Sequence, residues 1–124
     1  ADSNGKVSRE RMLEIASTTD CYLSHEWGID NSGRNTNTRV RKISQFLQSK
    51  DLFTSFDEGQ IMGKNSYNMI KERIHKAQCI IICMTERYFY QLKLNDNNPT
   101  KIEFYEAMNT KDLRYIIPIV MEKS

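Results

Sequence analysis

This sequence has few side chains that could bind a metal ion or a phosphate group or act as a nucleophile. The cysteines Cys21, Cys79 and Cys83 show no C-x-x-C spacing, and the two histidines, His25 and His75, lie far apart. A zinc site needs several such ligands close together, so no metal site is expected. The glycine-rich phosphate motifs of dinucleotide-binding folds and P-loop proteins are absent, and no Ser, His and Asp stand in the order of a catalytic triad.

The remaining polar side chains of interest fall in three loops, residues 24–37, 57–65 and 85–100. Each loop follows a short apolar segment, and the first is rich in Gly, Asn, Asp and Ser. Such residues form turns and often line functional loops. If the apolar segments are parallel strands, all three loops meet at the carboxyl edge of the sheet, which is where ligands bind in folds of this kind.

Four apolar segments, 20–24, 52–56, 79–84 and 115–121, have the length and composition of β-strands. The third is apolar throughout, which is typical of a central parallel strand covered on both faces. Pro118 lacks a backbone donor, which favours an edge position or a bulge for the fourth strand. Because the segments alternate with helical patterns, the sequence predicts an α/β fold with a parallel sheet and helices on both faces.

Three helices are predicted from apolar residues that recur at helical spacing. Their apolar faces consist of Val40, Ile43, Phe46 and Leu47 in the first, Tyr67, Ile70, Ile74 and Ala77 in the second, and Ile102, Tyr105 and Met108 in the third. Thr36 or Asn37 is expected to cap the first helix, and Asn65 or Ser66 to open the second. Residues 85–94 show no clear pattern and are assigned to neither a helix nor a strand.

The composition is typical of one globular domain: 124 residues, of which 39% are hydrophobic and 27% charged. Lys and Arg number 18 and Asp and Glu 16, which gives a formal net charge of +2. With no basic block in the sequence, nucleic-acid binding is not expected. The densest cationic stretch, Arg39, Arg41 and Lys42, is interpreted as the solvated face of the first helix.

Membrane insertion and secretion are not predicted either. No apolar run reaches the roughly 18 residues that would cross a bilayer, and the first residues lack the apolar core of a signal peptide. An odd number of cysteines inside apolar segments predicts buried thiols rather than a disulfide framework. We therefore expect a cytoplasmic protein with an N-terminal extension over residues 1–19 and one domain over residues 20–124.

Four segments stand out along the chain: residues 20–28 (DCYLSHEWG), 47–58 (LQSKDLFTSFDE) followed by Gly63, 80–85 (IIICMT) with Tyr88, and 116–119 (IIPI). In order and spacing they resemble the conserved boxes of Toll/interleukin-1 receptor (TIR) domains. The resemblance implies a flavodoxin-like fold with four recognisable strands. The sequence stops soon after the fourth strand, so the family's fifth strand and last helix are expected to be absent. It also reads NPTKI at 98–102, where the family usually has a Trp-Cys pair.

Two functions follow from the resemblance. Some TIR domains hydrolyse or cyclise NAD by splitting its nicotinamide–ribose bond, with NAD as substrate and no cofactor, and others are non-catalytic scaffolds that signal through TIR–TIR contacts. In the catalytic members the essential residue is a Glu on the helix after the third strand, which corresponds to Glu103 here. The local sequence offers another interpretation, because residues 100–103 (TKIE) fit a capping box in which Glu103 returns to the N-cap amide.

The resemblance also implies roles for residues in the first two loops. Trp27 would stack on the nicotinamide ring, Ser24 and His25 would line the same opening, and Arg34 would meet the pyrophosphate. The alternatives are packing at the strand end for the first three and a free surface side chain for Arg34. Asp57, Glu58 and Gly63 belong to the loop through which many TIR domains self-associate, although Gly63 alone fits a turn residue.

Overall fold

The computed structural model describes residues 8–10, 19–56 and 64–122. Its four strands are β1 (Thr19–Ser24), β2 (Thr54–Phe56), β3 (Ala77–Met84) and β4 (Ile116–Val120). They form one parallel sheet in the order β2-β1-β3-β4, in which Cys21 of β1 is opposite Thr54 of β2 and Cys79 of β3. The predicted parallel α/β architecture is confirmed, and β4 is an edge strand of the described sheet, as Pro118 indicated.

The helices are α1 (Thr36–Ser49), α2 (Lys64–Lys76), α3 (Glu86–Lys93) and α4 (Pro99–Thr110), and a 3-10 turn at Leu113–Tyr115 precedes β4. Because strand side chains alternate between faces, β1 and β3 each supply two apolar surfaces. One surface, with Cys21, Leu23, Ile81 and Cys83, packs on Val40 of α1. The other, with Tyr22, Ile80 and Ile82, packs on Ile70 and Ile74 of α2 and Ala107 of α4. Helices thus cover both faces, as predicted.

Two predicted helix faces are wrong in part. Phe46 is 61% exposed, with the Lys50 ammonium 5.7 Å from its ring centre, whereas polar Ser44 is buried in the same helix. In α4 the predicted core residues Tyr105 and Met108 are exposed, and the buried residues are Thr100, Glu103 and Ala107. The spacing of apolar residues predicts the wrong buried face for α4, because the residue at the centre of the face that is buried is the acidic Glu103.

The helix starts also differ from prediction. Asn35, not Thr36 or Asn37, caps α1 by accepting a hydrogen bond from the Thr38 amide. The second helix begins at Lys64. The unassigned segment after β3 is a helix, α3, because the Thr85 hydroxyl accepts from the Tyr88 amide and so caps its first turn.

Asn98 is the N-cap of α4, and we expect its loss to weaken the fold. Its side chain accepts from the Lys101 amide at 3.0 Å and donates to the Gln91 carbonyl. Asn98→Ala should lower the free energy of unfolding by about 0.5–2 kcal/mol, measured by urea denaturation. The neighbouring exposed Asn97, changed to Ala, is the control and should leave stability unchanged. Equal effects of the two changes would contradict the capping role.

Candidate functional site

The loop after β1 lies along the carboxyl edge of the sheet. The Asn31 side chain donates to Glu86 at the start of α3 at 2.6 Å, and its backbone amide donates to Glu122, just beyond β4. The Glu86 amide donates to the other oxygen of Glu122 at 2.7 Å. These bonds connect the β1 loop to the segments after β3 and β4, so all of them converge on one edge, as the topology required.

Glu103 lies at this edge with its carboxylate turned into the protein, and its residue is only 1% exposed. Tyr22 donates to one carboxylate oxygen at 2.6 Å, and Ser24 donates to the other at 2.7 Å. The Ser24 hydroxyl also shares a 2.8 Å hydrogen bond with the Tyr88 hydroxyl. Strand β1 and helices α3 and α4 therefore each contribute to one buried polar cluster, which we call the Glu103 cluster (Tyr22, Ser24, Tyr88 and Glu103).

The spacing of residues along β1 and α4 explains how the members of the Glu103 cluster come together. Tyr22 and Ser24 are two residues apart on β1, so both point to the face that α4 covers. Glu103 is flanked along α4 by the buried residues Thr100 and Ala107, three and four positions away, which orient it toward the sheet. The capping-box interpretation is wrong, because the N-cap is Asn98 and the third helical residue is Lys101.

The charge of Glu103 acts on its neighbours. Burial, followed by the Glu103 charge, raises the pKa of the Tyr88 hydroxyl well above its ordinary value. The same two causes raise the pKa of Cys83 to about 12. Tyr88 and Cys83 therefore stay protonated, and Tyr88 can serve as a neutral hydrogen-bonding group beside the carboxylate.

His25 and Trp27 form a second group on the other side of β1. Their rings lie 5.5 Å apart, and the His25 ring is 5.9 Å from that of Phe56 at the end of β2. His25 Nε2 is 2.9 Å from the Asn37 side-chain amide, whose oxygen accepts from Arg41. Trp27, by contrast, is 37% exposed, so the group presents an indole to solvent above a buried imidazole.

Burial lowers the pKa of His25 from 6.5 to about 4; a hydrogen bond with the Leu23 backbone partly opposes this shift, and the Arg41 charge adds a smaller lowering effect. At pH values between these two pKa values, His25 binds a proton in the unfolded chain but not in the folded chain. The free energy of unfolding therefore falls as the pH falls. We expect the free energy of unfolding to decrease by about 2 kcal/mol across this range. Urea denaturation should show this slope in the wild type and in the His75→Gln control, but not in His25→Gln. An unchanged slope in His25→Gln would refute the assignment.

An ion pair lies between the β1 loop and α3. The Arg87 guanidinium is 3.3 Å from the Glu26 carboxylate. Burial raises the pKa of Glu26, and Arg87 opposes the shift. Gly28 makes room for the pair, because a Cβ at this position would be 2.8 Å from Arg87 Nε and 2.9 Å from the nearer Glu26 oxygen.

Arg34 belongs to a third group, near the end of β4. Its guanidinium donates to Asp30 at 2.8 Å and to the Met121 carbonyl at 3.1 Å, and Arg39 binds both of the same partners. Burial tends to raise the pKa of Asp30, but the amides of Arg34 and Ser32 and the Arg34 charge outweigh it and lower the pKa. Arg34 and Arg39, with Lys42, line an open groove of about 490 Å³.

A family model for the TIR domain matches residues 22–124, most of the chain. The chain belongs to the TIR domain family. No curated protein and no solved structure shows significant similarity to it. The parallel sheet with helices on both faces agrees with the flavodoxin-like fold of TIR domains. The family places the chain among domains of signalling and defence, whose members typically interact with other TIR domains.

The TIR domain brings some predicted site residues together and separates others. Ser24 meets Glu103 directly, and His25 meets Trp27. Arg34 has different partners and packs with α1, on the face of the sheet opposite α4. Asp57, Glu58 and Gly63 lie outside the described residues.

Sequence reasoning missed Tyr22 and the Glu26–Arg87 pair, and gave Tyr88 no role. Tyr22 could have been found, since it shares the alternating face of β1 with Ser24. Nothing in the sequence pairs Glu26 with Arg87, which are 61 positions apart. Within the described part of the TIR domain, no three His, Cys, Asp or Glu residues are grouped so as to hold a metal ion, and no helix is long and apolar enough to span a membrane.

Proposed function

We propose that this TIR domain cleaves the nicotinamide–ribose bond of NAD, with Glu103 as the catalytic carboxylate. The observation that carries the proposal is the Glu103 cluster itself: a carboxylate at the carboxyl edge of the sheet, oriented on both oxygens by hydroxyls of β1. Fixed orientation is what electrostatic catalysis requires, since the group need not reorganise when charge develops on the substrate.

The chemistry needs one carboxylate and no general acid. As the bond between nicotinamide and the ribose C1′ carbon breaks, its electron pair neutralises the pyridinium ring, and nicotinamide leaves as a neutral molecule. The ribose is left as an oxocarbenium-like cation, which a nearby carboxylate stabilises. Water then adds to the anomeric carbon and releases a proton, giving ADP-ribose, or an adenine nitrogen adds in its place and gives a cyclic product.

Other groups at the carboxyl edge of the sheet suit the rest of the substrate. The exposed indole of Trp27 offers a face to the pyridinium cation. His25, with its pKa lowered to about 4, stays neutral beneath the indole and does not repel that cation. Arg34, whose side chain is 44% exposed beside the groove with Arg39 and Lys42, supplies cationic donors for the pyrophosphate.

Exposed apolar side chains support an alternative function, that of a non-catalytic scaffold working through TIR–TIR contacts. Leu113 and Val120, before and at the end of the edge strand β4, are each 74% exposed, and Tyr115 and Ile117 are exposed between them. Such a patch favours contact with another protein. The two functions are compatible if self-association, through this patch or the loop with Asp57, Glu58 and Gly63, activates cleavage. In either case we propose a cytoplasmic location, where NAD is available.

The test is to incubate the chain with NAD over a series of protein concentrations and to follow nicotinamide by chromatography, with sedimentation velocity on the same samples. Release that rises more steeply than protein concentration would support catalysis by an assembled TIR domain. Association without any release would support the scaffold function and overturn the enzymatic proposal.

A further inference from the structure

Cys21 and Cys79 lie side by side in the sheet, on the face opposite the Glu103 cluster. They are register partners on the parallel strands β1 and β3, and their sulfur atoms are 3.3 Å apart, with the Cys79 thiol donating to Cys21. Both side chains point to the face that α1 covers. All three cysteines of the chain are free thiols.

The geometry of this pair suits a disulfide. Neighbouring strands lie about 4.8 Å apart, which falls within the range of Cα separations, about 4.4–6.8 Å, that disulfides bridge. The sulfur atoms need to approach by little more than about 1 Å to reach bonding distance. Cys83 follows Cys79 on the same strand and packs in the same apolar cluster, but its register partner on β4 is Ile119.

The two sulfurs differ in access to solvent. Cys79 is partly exposed, whereas Cys21 is only 6% exposed. Burial, followed by the interaction with Cys79, raises the pKa of Cys21 to about 12, so Cys21 remains a thiol. The Lys111 ammonium lies near Cys79 and donates to the His75 carbonyl at 3.0 Å. Burial lowers the pKa of Lys111, and its electrostatic interaction with Cys79 opposes that shift. A cation next to an accessible cysteine favours its reaction with peroxides.

We propose that Cys79 and Cys21 form an oxidative modification site, in which hydrogen peroxide converts the pair into a disulfide between β1 and β3. The Cys79 sulfur attacks one peroxide oxygen and the O–O bond breaks, which gives a sulfenic acid and water. The Cys21 sulfur then attacks the Cys79 sulfur, the S–O bond breaks, and the departing hydroxide takes the Cys21 proton as water. Two thiols are oxidised by two electrons in all, and one peroxide is reduced to two waters.

The experiment treats the purified full chain with hydrogen peroxide, unfolds it in guanidinium chloride so that buried thiols become accessible, and alkylates the remaining thiols with N-ethylmaleimide. Intact mass and a non-reducing peptide map are then measured. We expect one alkylated cysteine after oxidation, against three before, and a crosslinked peptide pair containing Cys21 and Cys79. The Cys83→Ser variant should form the same crosslink, and Cys79→Ser should form none.

Three results would overturn the proposal. One is that all three cysteines still react with N-ethylmaleimide after peroxide treatment. Another is a crosslink that joins Cys83 or two copies of the chain. The third is that Cys79 accumulates as sulfenic or sulfinic acid, detected by dimedone labelling and mass, without bonding to Cys21. Because the wild-type peptide map is decisive alone, a variant that fails to fold leaves the test intact.

Discussion

Glu103→Gln should reduce nicotinamide release from NAD by at least about 100-fold while the domain stays folded. The substitution keeps the size and planarity of the side chain but removes the negative charge that would stabilise the ribose cation. Folding should survive, because a hydroxyl can either donate or accept a hydrogen bond. One of the two hydroxyls of Ser24 and Tyr22 can donate to the new amide oxygen, and the other can turn to accept from the amide nitrogen. The measurement is single-turnover nicotinamide release by chromatography at saturating NAD.

Glu106→Gln is the matched control, since it makes the same change one turn further along α4. Glu106 pairs with His75 at 2.7 Å and takes no part in the Glu103 cluster. Its variant should keep the wild-type rate. Near-ultraviolet circular dichroism and urea denaturation establish that both variants are folded. Release that persists undiminished in a folded Glu103→Gln protein would refute the catalytic role of Glu103.

The sheet could be predicted because each strand is a short apolar segment, and alternation with helices then dictates a parallel arrangement. Helix α3 could not be predicted, because only Tyr88 of its eight residues is buried and its N-cap, Thr85, directly follows strand β3. The buried face of α4 was missed for a related reason. Apolar periodicity selects Ile102, Tyr105 and Met108, whereas the fold buries Glu103 with polar and small neighbours.

The candidate site was predictable at the level of topology but not of contacts. The rule that ligands bind at the carboxyl edge placed Ser24 and residues 85–100 together, and the resemblance to TIR domains singled out Glu103. The bond between Ser24 and Glu103 spans 79 positions, and only the packing of α4 on β1 reveals it. In the same way, two thiols that are 58 positions apart in the sequence prove to be neighbours.

Ser24→Ala and Tyr22→Phe should each lower kcat for NAD cleavage by about 10- to 100-fold and leave KM nearly unchanged. Each removes one hydroxyl donor from Glu103, so the carboxylate keeps its charge but loses its fixed orientation, and misplacement by about 1 Å is enough for such a loss. A hydrogen bond to a charged group also contributes about 1.5–3 kcal/mol, so the free energy of unfolding should fall by a similar amount. Steady-state kinetics and urea denaturation measure the two effects.

Comparing the changes in kcat and KM distinguishes a loss of Glu103 orientation from a simple loss of fold stability. A merely structural role would lower the amount of active protein, which titration of folded protein detects, without changing kcat per folded molecule. Tyr105→Phe is the control for Tyr22→Phe, because it removes the same hydroxyl from an exposed residue of α4 and should change neither quantity. If Ser24 contacts NAD itself, Ser24→Ala should instead raise KM, and Tyr22→Phe should not. That pattern would assign Ser24 to substrate binding and leave Tyr22 alone as the residue that positions Glu103.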